Sequence, residues 1–417
     1  MRYFESSAAL GVWYTIQTIL QWILVFDLGI GNGLRNRLVA ALVEGDERKV
    51  SLCVSSAYRL LGLVCLALLV VVVIVAAFVP WNVVFNVSEG VLPADSLKAC
   101  MFVVGCGVVL QMFFQLINGV LYALQFSSAV NALSLVSNAL ILCFISLFPS
   151  SSDGANIVSL ALANVVFMVM PLVLTSVVVF SRRLLGCRVD FGGFSWKYAR
   201  ESLSTGLVIL FLQLTWVVVA STHSLLISLF RDPSEVVEFQ IYYKVYYTIG
   251  SLAAIALVPI WSAVSMAQAE GRYTWIAKTY RKCLMLACVV AVVCACTSPF
   301  VQFGFDVWLG DESIGVNMAY VAVMSLFSVA FVLQNVNASI GNGLSYFPVQ
   351  VVCMGIGAFA MVPLACVFCS LFNSWIGVIV ATIVAIAPFQ VIEPIACSRY
   401  LKRCEAEHES CKAESSE

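Results

Sequence analysis

Long uninterrupted apolar stretches constrain this chain more than any other feature of its sequence. A transmembrane helix needs roughly 20 mostly apolar residues to cross about 30 Å of hydrocarbon. Eleven such stretches are read at 8–30, 58–80, 99–123, 128–148, 156–180, 203–229, 239–266, 283–303, 314–337, 346–371 and 374–397. Their length, and the lack of alternation between apolar and polar residues, argue for helices and against a β-barrel. Composition agrees: 62% of the 417 residues are hydrophobic and 11% are charged, whereas soluble domains carry about 25% charged residues. A soluble enzyme or a disordered scaffold is excluded. The expected fold class is an all-α polytopic membrane protein with about 11 transmembrane helices.

The formal net charge is −1, and a nucleic-acid partner is not expected. The placement of charge is more informative. One set of alternate loops holds 18 of the 22 Lys and Arg, clustered at 35–59, 182–200, 272–282 and 399–412; the other receives only Arg2, Lys98 and Arg231, and Lys244 lies within a span. The positive-inside rule then places the C-terminus in the cytoplasm and the N-terminus outside. Glu5 and the lone cation Arg2 do not make a cleavable signal. Most of the 16 cysteines, such as Cys65, Cys106 and Cys353, fall inside apolar spans, where Cys acts as a small hydrophobe. The CxxC of Cys366 and Cys369 has no His nearby, and a metal or redox role is not expected for it.

Two segments of the second half echo the first. AALVEGD (40–46) matches MAQAEGR (266–272), with Gly45 and Gly271 separated by 271 − 45 = 226 positions. INGVLY (117–122) matches GNGLSY (341–346), with Asn118-Gly119 on Asn342-Gly343 at an offset of 224. An offset spanning an even number of helices implies two bundles running in the same direction, as in transporters built from parallel repeats. The expected bundles are 1–186 with five helices and 187–397 with six, followed by a charged cytoplasmic tail at 398–417. By this reading the counterpart of the 203–229 helix would lie before residue 4, so the first helix of a twelve-helix plan is expected to be absent.

The most distinctive stretch is FDLGIGNGLRNR (26–37). On residue types alone it is a helix C-terminus: Asp27 closes the apolar run, and Gly29, Gly31 and Gly33 permit a tight turn or close helix approach. Arg35 and Arg37 would then stand at the cytoplasmic headgroups. This stretch resembles the DLGIGNGLRN-like segment of the O-antigen and exopolysaccharide repeat-unit flippases (Wzx type), in the polysaccharide-transporter branch of the multidrug/oligosaccharidyl-lipid/polysaccharide exporter superfamily. Asp27, Gly29, Gly31, Asn32, Gly33, Arg35 and Asn36 carry the match, preceded by Leu10, Gly11 and Trp13. Weaker echoes are Val258–Ser262 with Ala267 and Ala269–Arg272, Trp81–Asn86, and Trp308–Gly310. The resemblance covers about residues 10–397. It departs from the family pattern in the missing first helix, in the lack of Asp in PIWSAVSMAQA, and in the lack of Asp before Trp81.

The resemblance implies a carrier and not an enzyme, with no cofactor. It implies translocation of undecaprenyl-pyrophosphate-linked oligosaccharide units across the bacterial cytoplasmic membrane by alternating access between two six-helix lobes. Contact with other polysaccharide-assembly proteins is also implied. The alternatives are a cation-coupled multidrug exporter of the same superfamily, or a truncated homologue without function. A glycan polymerase or ligase is a third class, but the longest external loop, 81–98, carries only Lys98.

Moving an anionic pyrophosphate and its sugars requires polar groups within the spans, where charges cost about 2.5–3.5 kcal/mol each. Lys244 sits among tyrosines in QIYYKVYYTIG. It is read either as a phosphate-binding cavity residue, with Tyr243 and Tyr247 as stacking faces, or as an interfacial lysine whose stem reaches the headgroups. Asn118 and Gln213 are candidate partners for sugar hydroxyls, or else interhelical hydrogen-bonding groups. Asp27, His223 and Glu393 are candidates for ion coupling; charge pairing at the interface, or a neutral hydrogen-bonded histidine, explains them as well.

Overall fold

The computed structural model describes residues 6–25, 29–85, 87–148, 152–182, 186, 189–232, 235–310 and 314–414. Among these residues there are helices and no strands. In chain order the helices are α1 (Ser7–Val25), α2 (Ile30–Glu44), α3 (Glu47–Phe78), the single turn α4 (Trp81–Val84), α5 (Ala94–Ala123), α6 (Ser127–Leu147), α7 (Asp153–Ser181) and α8 (Trp196–Ala220). They continue with α9 (His223–Phe230), α10 (Glu235–Ile255), α11 (Val258–Ala269), α12 (Tyr273–Thr297), α13 (Val301–Leu309), α14 (Met318–Gly343), α15 (Pro348–Phe372) and α16 (Ile376–Glu414).

Ten helical stretches among the described residues are long and apolar enough to cross a membrane: α3, α5, α6, α7, α8, α10–α11, α12–α13, α14, α15 and α16. The expected first span folds as α1, whose 19 residues include Gln17 and Gln21. Contacts divide the chain into two compact units, Met1–Leu210 and Phe211–Glu417.

In the first unit α5 is the central helix, packed on α2, α3 and α7. One face of α1 (Ala9, Val12, Trp13, Ile16) is buried with Leu97, Cys100 and Val104 of α5 and Ile157, Leu160 and Ala161 of α7. That spacing of three and four residues is the buried stripe of a helix. The outer part of α3 leaves Leu63, Leu66, Val70 and Ile74 exposed, and α6 does the same with Leu135, Leu142 and Leu147. Apolar side chains that find no protein partner suit hydrocarbon surroundings. The segment after α7 is strapped onto α3: Arg59 donates to the carbonyls of Phe191 and Gly192 at 2.8 and 2.7 Å, and the Ser195 N–H donates to Ser56 Oγ at 3.0 Å.

In the second unit α14 takes the place of α5, packed on α10, α11, α12 and α16. A chain of hydrogen bonds ties the α9–α10 turn to the α15–α16 turn. Arg231 pairs with Glu235 at 2.8 Å and donates to Asn373 Oδ1 at 2.6 Å; the Trp375 amide and indole N–H donate to Glu235 and Glu238 at 2.8 and 2.9 Å.

The sequence echoes take on physical content here. Gly45 and Gly271 end α2 and α11 with φ of +68° and +70°, the left-handed conformation that glycine adopts without penalty. The two Asn-Gly pairs each admit a neighbouring helix. A Cβ on Gly119 would meet the Gly31 carbonyl of α2, and one on Gly343 would meet the Trp261 carbonyl of α11. The helices carrying them end in another register. The positive-φ residues that follow are Gln125 and Ser345, 345 − 125 = 220 positions apart and not 224, so Gly119 lies about one turn farther from its helix end.

α1 ends at Val25, and a further helix that was not expected, α2, begins at Ile30 and runs for 15 residues. The spans expected at 203–229 and 239–266 are each broken, at Ser221-Thr222 and at Ala256-Leu257; the second break lies just before Pro259, which lacks the amide that would continue the ladder. The charged residues after Cys397 continue α16, which runs unbroken for 39 residues to Glu414, and the Thr274 hydroxyl donates to Glu405 at 2.6 Å.

Candidate functional site

The motif residues are placed by two close helix approaches. Gly29 caps α2 with φ of +63° and lies against the backbone of Gly206 in α8; Gly33, one turn on, lies against the Ser202 carbonyl. Gly31 presents its carbonyl to Gly119 of α5. α2 is thus held between two helices at backbone distance, which only glycine allows. Asn32 and Asn36 are half-buried on the same helix, and Asp27 lies outside the described residues.

Arg35 is not at the surface, as the motif suggested. It is 2% exposed, and its guanidinium carbon sits 4.5 Å from the centre of the Tyr122 ring. Burial pushes the guanidinium down to about 9, so it remains cationic at pH 7. Arg37 is the exposed member of the pair and meets Glu201 of α8 at 3.4 Å. A desolvated cation on an aromatic face contributes about 2 kcal/mol. Arg35→Ala is therefore expected to lower the melting temperature of the purified protein, and Arg35→Lys, which lacks the planar group, to restore only part of it. An unchanged melting temperature in Arg35→Ala would remove this role.

Asn118 belongs to a cavity within the first unit. Gln111, Gln115 and Asn118 stand at positions i, i+4 and i+7 on one face of α5. With Ser134 and Ser137 of α6 they face Leu24, Val130, Leu133, Met168 and Leu172 around a space of about 130 Å³. The carbonyl oxygens of Gln115 and Asn118 are buried without a hydrogen-bond partner among the described residues. The Gln111/Gln115/Asn118 stripe was legible as a spacing in the sequence, but the serines of α6 become its partners only through packing.

The other predicted residues within the described part lie in the second unit, in four places. Tyr243 and Tyr247 stack at 5.1 Å on one face of α10. His223, 2% exposed, is boxed edge-on by Phe239, Tyr243 and Phe327 at 5.8, 5.7 and 5.9 Å, and its Nε2 is 2.9 Å from the Thr382 hydroxyl. Lys244 projects from a neighbouring face, exposed, with Nζ 5.7 Å from the Trp308 ring centre. Gln213 of α8 keeps a buried, unpartnered carbonyl oxygen.

Glu393 is the most unusual of these. It is 0% exposed, it accepts one bond from the Cys397 thiol at 3.2 Å, and its Oε2 has no partner among the described residues. Near the end of α14, Gly341 leaves room for a group of oxygens. Glu393 Oε1, the Tyr346 carbonyl and Gln350 Oε1 lie 2.8, 3.3 and 3.5 Å from where its Cβ would stand. Gln350 Oε1 is likewise unpartnered. Glu393 Oε2 and Gln350 Oε1 are thus buried acceptors without a donor among the described residues, the kind of group that a proton or a small cation can satisfy.

No protein-family model matches the chain, and no curated protein is significantly similar to it. Solved structures are. The chain resembles MATE in the straight conformation, with a TM-score of 0.73 at 15% identity, covering 96% of this chain and 89% of that one. It resembles the bent form of the Vibrio cholerae MATE transporter VcmN, with a TM-score of 0.73 at 12% identity over 96% and 89% of the two chains. A MOP superfamily transporter from Pyrococcus furiosus, described by the reversed polarity of its binding pocket, gives 0.73 at 14% identity over 95% and 88%. The fold of this chain is the MATE/MOP transporter fold.

Proposed function

We propose that the protein is an alternating-access carrier that moves lipid-linked oligosaccharide units, carried on undecaprenyl pyrophosphate, across a bacterial cytoplasmic membrane, with its C-terminus in the cytoplasm. The observation that carries this reading is the conjunction of the MATE/MOP fold with the Gly29–Asn36 segment, whose glycines and buried Arg35 are built into the helix packing. The cavity of the first unit supports it. Its described lining is amide, hydroxyl and aliphatic, with no charged side chain among the described residues, which suits sugars better than organic cations. We further propose that Glu393, with Gln350, holds the coupling proton or alkali cation; His223, hydrogen-bonded inside its aromatic box, is the second candidate for coupling.

Deleting the gene in its host is expected to abolish or strongly reduce the surface glycan and to leave lipid-linked units on the cytoplasmic leaflet. Surface glycan that stays intact, with no accumulation, would overturn the proposal. The neighbours' description as multidrug transporters favours a second reading, an exporter of cationic compounds. It requires the deletion strain to become sensitive to such compounds while its glycan is unchanged.

A further inference from the structure

We infer that the cavity of the first unit between α1, α5, α6 and α7 is a binding site for an uncharged, hydroxyl-rich ring, a single pyranose of the transported glycan. This rests on the proposed carrier function and names the part of the cargo that the cavity takes.

The cavity presents two kinds of wall. On one side α5 aligns Gln111, Gln115 and Asn118, and α6 adds Ser134 and Ser137. On the other, Leu24, Met168 and Leu172 are aliphatic. A pyranose has the same division, hydroxyls around its rim and a face of C–H groups. The Gln115 and Asn118 carbonyl oxygens are buried acceptors without partners among the described residues, and an unmade hydrogen bond of this kind costs about 1–3 kcal/mol. Hydroxyl donors of a ligand would supply the missing bonds. Among the described lining residues there is no cation for a pyrophosphate and no carboxylate for a cationic drug.

The test is saturation-transfer NMR on the full chain in detergent, with methyl glycosides of glucose, galactose, mannose and N-acetylglucosamine as probes, and tetraphenylphosphonium and inorganic pyrophosphate as controls. At least one glycoside is expected to bind, and Asn118→Leu and Gln115→Leu are each expected to weaken it by about tenfold, as loss of one hydrogen bond does. Ser134→Trp, at an exposed position on the cavity wall, should block it without touching the buried amides, so the result survives if a leucine variant misfolds. Binding of no glycoside, binding unchanged in all three variants, or tetraphenylphosphonium binding lost in Asn118→Leu would overturn the inference. So would photo-crosslinking from position 133 to another membrane helix. In cells the two ideas separate: surface glycan lost on deletion but normal in Asn118→Leu and Gln115→Leu would leave the carrier standing and remove the cavity from it.

Discussion

Gly33→Val is expected to leave little or no folded protein. A Cβ at this position would fall on the Ser202 carbonyl of α8, and the neighbouring Gly29 lies just as close to Gly206. Both obstacles are backbone, which cannot swing aside as a long side chain can. Overpacking in a well-packed interior costs typically about 1–3 kcal/mol; here two helices must separate, so a cost at or above the upper end is expected, against a total stability of about 5–15 kcal/mol. Gly33→Ala should lower the melting temperature clearly, and Gly33→Val should abolish a monodisperse peak in size-exclusion chromatography. Gly11 provides the control. It is helical, and nothing lies within 4 Å of its Cβ position, so Gly11→Ala should be neutral or slightly stabilising. A Gly33→Val protein that elutes and melts like the parent would mean that α2 and α8 do not meet as described.

Glu393→Gln is expected to separate transport from stability. The amide keeps the shape of the side chain and can still accept from the Cys397 thiol, so the melting temperature should change little. What it removes is the capacity to bind a proton or cation among the oxygens near Gly341. If that ion couples transport, flux of the cargo should fall by about tenfold or more, equivalent to about 1.4 kcal/mol at the limiting step, and the remainder should no longer respond to an imposed pH or sodium gradient. Glu393→Lys, by contrast, buries a fixed cation at a 0% exposed position and should destabilise the fold itself. Parental flux with parental ion dependence in Glu393→Gln would exclude this residue from coupling.

Much of the architecture was legible before any coordinates. Apolar runs of the required length defined most of the spanning helices, because burial in hydrocarbon leaves a helix few other compositions. The breaks were less visible. Pro259 signals the one after α10, but the one at Ser221-Thr222 has no comparable marker. The tail after Cys397 read as a charged appendage because hydropathy falls there. It is helical because Thr274 and Tyr273 of α12 meet Glu405 and His408 across the gap, contacts distant in sequence. Site residues divide in the same way. Glu393 was noticed as a charge in a span, but neither its lack of an ion-pair partner among the described residues nor its place beside Gly341 could be read from spacing.

The motif is the clearest division between the two sources. From residue types alone, its glycines meant a turn or a close approach, and its arginines meant an anchor at the headgroups. The sequence by itself determined that the chain spans a membrane with its cations concentrated on one set of loops, because those properties are sums over local composition. Only the tertiary structure decided that Gly29 and Gly33 admit α8, that Gly31 faces α5, and that Arg35 turns inward onto Tyr122 while Arg37 stays outside. Each of these depends on which helix arrives beside α2. That is settled by packing between residues as far apart as 29 and 206, which no local pattern records.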